Sequence, residues 1–114
     1  MNGKRAEILA AWFLRLHGYR IADRNYHSRF GEIDIIAQKS DTIIFVEVKA
    51  RGENSVAAPA FAVDVYKQRK IIKTAQFYLS HKNKTDCDIR FDVVEIFKNS
   101  GRLKLNHIKN AFGV

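Results

Sequence analysis

The sequence predicts one α/β domain over residues 1–114, in which helices flank a mixed β-sheet. Two segments carry apolar residues at helical spacing, and three others alternate apolar and polar residues as strands do. A chain of 114 residues, 46% of them hydrophobic, is long enough for one core and too short for two ordinary domains. The predicted order is α, β, β, β, α, β, with a possible extra strand at the C-terminal end.

The first helix is predicted at residues 2–17, and the segment 19–26 after it is predicted to be an edge strand. Gly18, directly after the last periodic residue, favours a left-handed cap at the end of this helix. One apolar stripe is expected to face the core, formed by Ile8, Leu9, Trp12, Phe13 and Leu16.

The next two segments, GEIDIIAQKS and DTIIFVEVKAR, read as a β-hairpin that turns at Ser40 and Asp41. With that turn, paired residues have numbers that add to 81, so Asp34 is expected opposite Glu47 and Glu32 opposite Lys49. The same register places six apolar residues on one face, against the core: Ile33, Ile35, Ala37, Ile44, Val46 and Val48. A turn shifted by two residues would also keep the two faces separated.

Helical spacing returns at residues 62–81, where an apolar side that includes Tyr66, Ile71, Ala75 and Tyr78 alternates with lysine and arginine. The irregular stretch before it, residues 51–61, is predicted to be a mobile loop that can cover a site. A further strand is predicted at residues 88–98, and the tail is expected to end with Ala111 and Phe112 pinned to the core. Core residues expected from this strand are Ile89, Phe91, Val93 and Val94.

The charge balance favours an anionic partner. Twenty Lys and Arg against twelve Asp and Glu give a formal net charge of +8, and nucleic acid is the commonest partner of such a surface, although solubility alone explains it about equally well. The single cysteine, Cys87, and the scattered histidines do not have the spacing of a zinc site. Apolar runs stay well below the roughly twenty residues of a membrane span. We therefore expect a soluble, cytoplasmic protein without a membrane partner.

The hairpin also carries the candidate chemistry. Carboxylates on opposed strand positions can direct oxygens at one hard cation, and Mg²⁺ binds to one or two carboxylates with waters and substrate phosphates completing its shell. Asp34 and Glu47 are the expected ligands, with the carbonyl of Val48 as a further oxygen. Lys49, on the same face as Glu47, could polarise a water or neutralise phosphate charge. The alternative is a solvated strand face with an ordinary ion pair between Glu32 and Lys49.

The spacing Asp34, Glu47, Lys49 (D-x12-E-x-K) resembles the signature of the PD-(D/E)xK nuclease superfamily, which includes restriction enzymes and archaeal Holliday-junction resolvases. Over nearly its whole length the chain is more specifically similar to the YraN family of bacterial proteins. This likeness extends from the AE and GY elements near the start, through GEIDIIA, FVEVKAR and RFDVV, to the AF near the end.

The resemblance implies a restriction-endonuclease-like sheet in which Asp34 and Glu47 bind Mg²⁺, with Mn²⁺ as a substitute, and Lys49 is the catalytic lysine. Glu7 on the first helix resembles the additional acid of junction resolvases, and a solvated helix residue is the equally weighted alternative. Ile33 stands where the superfamily signature has proline. Arg51, Lys67, Gln68 and Arg69 are candidate phosphate contacts.

The expected function is cleavage of structured or branched nucleic acid by phosphodiester hydrolysis, with DNA as the expected partner. A homodimer would provide two sites for two strands, as in the resolvases that the chain resembles. Two other functions stay open at this point: a nucleic-acid-binding module without catalysis, and a protein-interaction adaptor whose basic face contacts an acidic partner.

Overall fold

Two helices and five strands make up the part of the chain that the computed structural model describes, residues 3–52 and 64–113. In chain order they are α1 (Gly3–Leu16), β1 (Arg20–Ser28), β2 (Gly31–Lys39), β3 (Thr42–Ala50), α2 (Val65–His81), β4 (Asp88–Asn99) and β5 (Arg102–Phe112). The mixed α/β fold and the extra C-terminal strand are confirmed, and the order is compatible with the predicted nuclease-like core. Most of the predicted mobile loop, and the predicted start of the second helix at residue 62, lie outside the described residues.

The five strands form one sheet in the order β1-β2-β3-β4-β5. Strand β3 pairs with β4 in parallel, whereas the other three neighbouring pairs are antiparallel. The chain between the two parallel strands contains α2, as a crossover connection requires. β1 is an edge strand, as predicted. Within the described residues, neither helix is long and apolar enough to cross a membrane.

The predicted hairpin register is confirmed where β2 and β3 pair. The pairs run from Lys39 with Thr42 to Ile35 with Val46, and Ser40 in the turn has a φ of 54°. The paired stretch ends at Ile35 and Val46, however. The expected pairs of Asp34 with Glu47 and of Glu32 with Lys49 lie beyond that end, so the strands separate where the charged residues begin.

The sheet is buried on both faces, whereas the hairpin register assigned six apolar residues to one face only. The α1 side buries Ile35, Ala37, Ile44, Val46, Val94 and Ile96, and the α2 side buries Ile33, Ile36, Ile43, Phe45 and Phe91. Ile33 therefore packs on the face opposite to the predicted one. Side chains of β2 alternate regularly between the two faces from Ile35 onward, and this alternation does not continue across Asp34 to Ile33. A helix packs on each face of this sheet. The central strands are therefore buried on both faces, and their sequences are nearly continuous apolar runs.

Helix α1 packs mainly through its small residues, and of the predicted stripe only Leu9 and Phe13 pack, partly buried, against the core. Ala6, Ala10, Ala11 and Leu14 are buried, whereas Ile8, Trp12 and Leu16 are 38%, 58% and 80% exposed. Alanine side chains let the helix axis approach the sheet closely. The close packing gained in this way favours burial of the alanine face over burial of the larger apolar residues. Gly18, with a φ of 88°, ends the helix as predicted: its N–H bonds the Arg15 carbonyl, and the Tyr19 N–H bonds the Leu14 carbonyl.

Helix α2 begins at an N-cap, where the Asp64 side chain accepts a hydrogen bond from the Tyr66 N–H at 2.9 Å. The predicted core residues Ile71, Ala75 and Tyr78 are buried. Tyr66 is 65% exposed, contrary to prediction, because the first turn lies at the polar end of the sheet and the first buried residue is Ile71.

Strand β4 buries three of its four predicted core residues, Phe91, Val93 and Val94. Ile89 is 37% exposed because it lies near the start of the strand, at the rim of the sheet. At the other end of the chain, Phe112 stacks on Phe91 with ring centroids 5.2 Å apart, so the predicted pinning of the C-terminal segment is confirmed.

Asp92 joins β4 to β5 through a buried ion-pair network. Its side chain is fully buried, accepts hydrogen bonds from Arg90 Nε and Nη2 at 2.8 Å each, and lies 2.7 Å from His107 Nε2. It also accepts the Asn110 N–H at 2.9 Å, where the β4–β5 register shifts. Burial acts to raise the pKa of Asp92, but the hydrogen bonds from His107, Arg90 and Asn110 outweigh it and lower the pKa.

Replacing Asp92 with Asn should cost roughly 3 kcal/mol of unfolding free energy at pH 7, because Arg90 loses its buried partner. A carboxyl whose folded-state pKa is lowered stabilises the protein above its unfolded pKa, and this contribution disappears as the pH falls through the folded pKa. The difference between wild type and variant should therefore shrink below about pH 4. Urea unfolding at several pH values measures it.

Asp88→Asn, which changes an exposed aspartate of the same strand, is the matched control and should stay within about 0.5 kcal/mol of wild type. Equal losses for the two variants would show that the Asp92 network does not stabilise the fold.

Candidate functional site

Asp34 lies where β2 and β3 separate, and its side chain bridges the gap. Its Oδ2 accepts a hydrogen bond from the Val48 N–H at 2.8 Å. On the hairpin register the residue opposite Val48 would be Ile33, beyond the end of the paired stretch. The Asp34 carboxylate therefore supplies the acceptor that a strand carbonyl would otherwise provide, and this bond leaves Oδ1 available for another ligand.

Glu47 comes from the adjacent strand and is only 6% exposed. It lies on the α2 face of β3, two residues beyond buried Phe45. Lys67, in the first turn of α2, reaches it: Lys67 Nζ lies 2.5 Å from Glu47 Oε1. A carboxylate buried among apolar residues requires such a partner, because desolvation otherwise disfavours its charge.

The two carboxylates disfavour each other's ionisation. Burial raises the pKa of Glu47 most, the negative charge of Asp34 raises it further, and Lys67 and Lys49 oppose both effects. Burial also raises the pKa of Asp34, against the Val48 hydrogen bond and the charge of Lys67. The pKa values of both acids remain raised, so the positive charge within reach does not fully compensate the cluster. A further cation would stabilise the ionised forms of both.

Glu7 extends the cluster from the α1 side. It is 8% exposed, so the alternative of a solvated helix residue is wrong. Burial raises the pKa of Glu7, and the next cause is the charge of Asp34. Its Oε1 is buried without a hydrogen-bond partner among the described residues. Glu7 thus places a third carboxylate within electrostatic reach of Asp34.

Lys49 stands on the same strand face as Glu47, and its positive charge lowers the pKa of that acid. Its parallel neighbour on β4 is Glu95, which is 2% exposed. Arg51 Nε lies 2.6 Å from Glu95 Oε2, without the alignment of a hydrogen bond. Arg51, predicted to contact phosphate, is therefore paired with a buried acid. Glu95 was not predicted, although it interrupts the apolar run VVEIF much as Glu47 interrupts FVEV.

The other predicted phosphate contacts lie along α2. Lys67 is turned to the acids, Arg69 is exposed, and Gln68 is half-buried with its N–H bonded to the Asp64 carbonyl at 2.9 Å. Glu32 is exposed and lies 3.4 Å from His27 Nδ1. The alternative ion pair of Glu32 with Lys49 is not formed, because β2 and β3 have separated before those positions.

Metal-ligand geometry sets a limit on the ion that this site can hold. Over residues 3–52 and 64–113, no group of three His, Cys, Asp or Glu side chains converges as a complete ligand set. Two carboxylates are fewer than a structural zinc site needs. They match a hard cation such as Mg²⁺, which keeps several waters and takes further oxygens from a substrate phosphate.

Comparison with known proteins places the chain among uncharacterised relatives. A family model described as uncharacterised protein family UPF0102 matches residues 6–96, a range that includes Glu7, Asp34, Glu47 and Lys49. A UPF0102 protein of Persephonella marina is 47% identical over 112 residues, which cover 98% of this chain and 93% of the relative. Those of Desulforapulum autotrophicum and Caldanaerobacter subterraneus are 44% and 42% identical, each over 96% of this chain and 91% and 93% of the relative.

Replacing Glu47 with Gln should raise the melting temperature at pH 7–8 when metal has been removed with EDTA. Because the pKa of Glu47 is raised on folding, its ionisation opposes folding, and stability is lost as the pH rises from about 4.3 through the raised pKa. Glutamine removes that loss. The gain should vanish below about pH 4, where the carboxyl is protonated in both the folded and the unfolded state.

Thermal unfolding followed by circular dichroism across this pH range checks the effect. Glu32→Gln removes an exposed acid of the neighbouring strand and should change stability little at any pH. A Glu47→Gln variant that is less stable than wild type at pH 8 would contradict the electrostatic description of the cluster.

Proposed function

The chain belongs to the uncharacterised protein family UPF0102, the YraN family, and we propose that it is a metal-dependent endonuclease that hydrolyses phosphodiester bonds in structured or branched nucleic acid. One observation supports this most directly. Asp34 and Glu47, on adjacent strands and removed from much of the solvent, disfavour each other's ionisation. Acids whose pKa values are raised by burial and by a neighbouring charge cluster at functional sites.

The residues present fit a hard divalent cation. Asp34 and Glu47 would hold Mg²⁺, or Mn²⁺ in its place, and the Val48 carbonyl is a suitable third oxygen. The Val48 N–H points to Asp34, and in an extended strand the carbonyl of a residue points to the same neighbouring strand as its N–H. When bound, the ion would supply Lewis-acid stabilisation of the phosphate and a lowered pKa for water.

The remaining residues would act on the substrate and the attacking water. Lys49, half-buried beside Glu47, would orient that water and neutralise the charge that develops on the phosphate. Glu7 would accept a hydrogen bond from a water through its buried Oε1, which has no partner in the described part of the chain. This role suits a supporting acid on the α1 side of the cluster better than a third metal ligand.

Nucleic acid is the substrate class that the charge distribution favours. The net charge is +8, and the exposed face of α2 carries Arg69, Lys70 and Lys73 on the same helix as Lys67. Phosphates bound along this helix would lie beside the acid cluster, and binding would weaken steeply with salt. We propose DNA as the partner, and a homodimer whose two sites cut two strands of a branched substrate.

A nucleic-acid-binding module without catalysis is the second candidate. The ion pair between Lys67 and Glu47 supports it, because the pair gives the folded protein a partly compensated acid cluster without any metal. In that case the basic surface would bind nucleic acid and the acids would remain paired.

Cleavage assays separate the two. Purified protein with Mg²⁺ or Mn²⁺ should cut branched DNA, and Glu47→Ala, Asp34→Asn and Lys49→Met should each slow cleavage about a hundredfold or more. Binding of the same DNA, measured by fluorescence anisotropy, should change little for Lys49→Met, since this substitution removes one of many positive charges.

Asp88→Ala, an exposed acid at the start of β4, serves as the control and should cut at the wild-type rate. Linear duplex, single-stranded DNA and RNA complete the substrate panel. Salt-sensitive binding without metal-dependent products from any substrate would favour the binding module and reject the endonuclease.

A further inference from the structure

The Lys67 ammonium offsets negative charge of the acid cluster at the place where a bound cation would otherwise do so. Its Nζ lies 2.5 Å from Glu47 Oε1, and its charge also acts on Asp34 and Glu32. The Glu47 side chain is only 7% exposed, whereas that of Lys67 is 53% exposed. The acid is thus fixed inside the protein, and the base reaches it from the surface.

This arrangement makes Lys67 the more mobile partner of the pair. Its four-carbon stem is flexible, and its ammonium can be rehydrated without exposing apolar surface. Beside it lies a groove of about 360 Å³, lined by Gly31, Glu32, Tyr66, Lys67, Lys70 and Ile71. A phosphate in this groove would meet Lys70 as well as Lys67.

We propose that Lys67 is the resident counter-ion of the acid cluster and that it couples the binding of a divalent cation to the binding of nucleic acid. The Lys67 ammonium occupies Glu47 Oε1, so a metal ion that binds through this oxygen would displace it, and at any position on Glu47 the two positive charges would repel each other. A substrate phosphate in the groove offers the ammonium a new partner, so nucleic acid favours the state in which Glu47 is open. This inference rests on the proposed metal-dependent function and adds how the site is regulated.

Coupling of this kind is reciprocal. If nucleic acid tightens metal binding by a given factor, metal must tighten nucleic-acid binding by the same factor. Without substrate, Lys67 competes with the ion and keeps metal affinity low. A nuclease regulated in this way would bind its cation mainly when substrate is present, which would limit cleavage to productive complexes.

A purely structural role for Lys67 makes different predictions. In that case the ion pair would anchor the first turn of α2 to β3, and its removal would lower stability without tightening metal binding. The Asp64 N-cap already secures that turn through its bond to the Tyr66 N–H. Lys67→Met should therefore fold, and Lys67→Arg should keep the counter-ion charge and the wild-type metal affinity.

The first test is Mn²⁺ titration of the full chain by calorimetry or electron paramagnetic resonance. Lys67→Met should bind Mn²⁺ at least about tenfold tighter than wild type, because the competing charge at Glu47 is gone. Lys73→Met removes the same charge from an exposed position six residues further along α2 and should change affinity less than about threefold. Unchanged affinity in Lys67→Met would overturn the counter-ion role.

The second test measures the coupling directly. In a Lys49→Met background, so that DNA is not cut, saturating branched DNA should tighten Mn²⁺ binding several-fold. Adding Lys67→Met should reduce this effect to less than twofold. Equal coupling with and without Lys67 would overturn the proposal while leaving the metal site intact, whereas absence of Mn²⁺ binding in wild type and all variants would overturn the proposed function itself.

Discussion

The hydrogen bond from the Val48 N–H to the Asp34 carboxylate is the interaction on which the candidate site depends. It forms where β2 and β3 stop pairing, at the end of a register that is regular from Lys39 to Ile35. A continued ladder would satisfy the Val48 N–H with a backbone carbonyl and leave Asp34 no structural reason to turn toward β3. Because the strands separate, one side chain both completes the sheet and brings a negative charge beside Glu47.

Asp92 also bonds a backbone N–H of a neighbouring strand through its carboxylate, but its pKa is shifted in the opposite direction. It too accepts a backbone N–H of the neighbouring strand, that of Asn110, where a ladder is irregular. Asp92 also has Arg90 and His107 as partners, and its pKa is lowered. Asp34 has the charge of Lys67, which also serves Glu47, and its pKa is raised. The charge of Asp92 is thus fully compensated by its partners, whereas the charge of Asp34 is not and would be stabilised by a further cation.

The sequence predicted those features that depend on local pattern. The hairpin register follows from alternation and from a short turn, and both are set by residues close together in the chain. The buried face of α1 was predicted only in part: Leu9 and Phe13 pack against the core, but the buried alanines were missed because they are less hydrophobic than the exposed Ile8, Trp12 and Leu16. The pairing of Lys67 with Glu47 could not be predicted, since it joins two residues twenty positions apart and depends on where α2 begins.

The corrected packing of α1 bears on function. Glu7 follows Ala6, the first of the buried small residues, and close approach of this helix to the sheet carries the Glu7 carboxylate toward Asp34. The fold thus places Glu7 of α1 and Glu47 of β3 each within electrostatic reach of Asp34 on β2, and it pairs Glu47 with an ammonium from α2. These acids do not stabilise the fold, because burial and neighbouring negative charge raise the pKa of all three. Lys67 reduces the electrostatic cost of these buried acids in the folded chain. Because Lys67 is exposed, its ammonium can leave Glu47 and return. The proposed site requires this, since it must accept a cation and a phosphate.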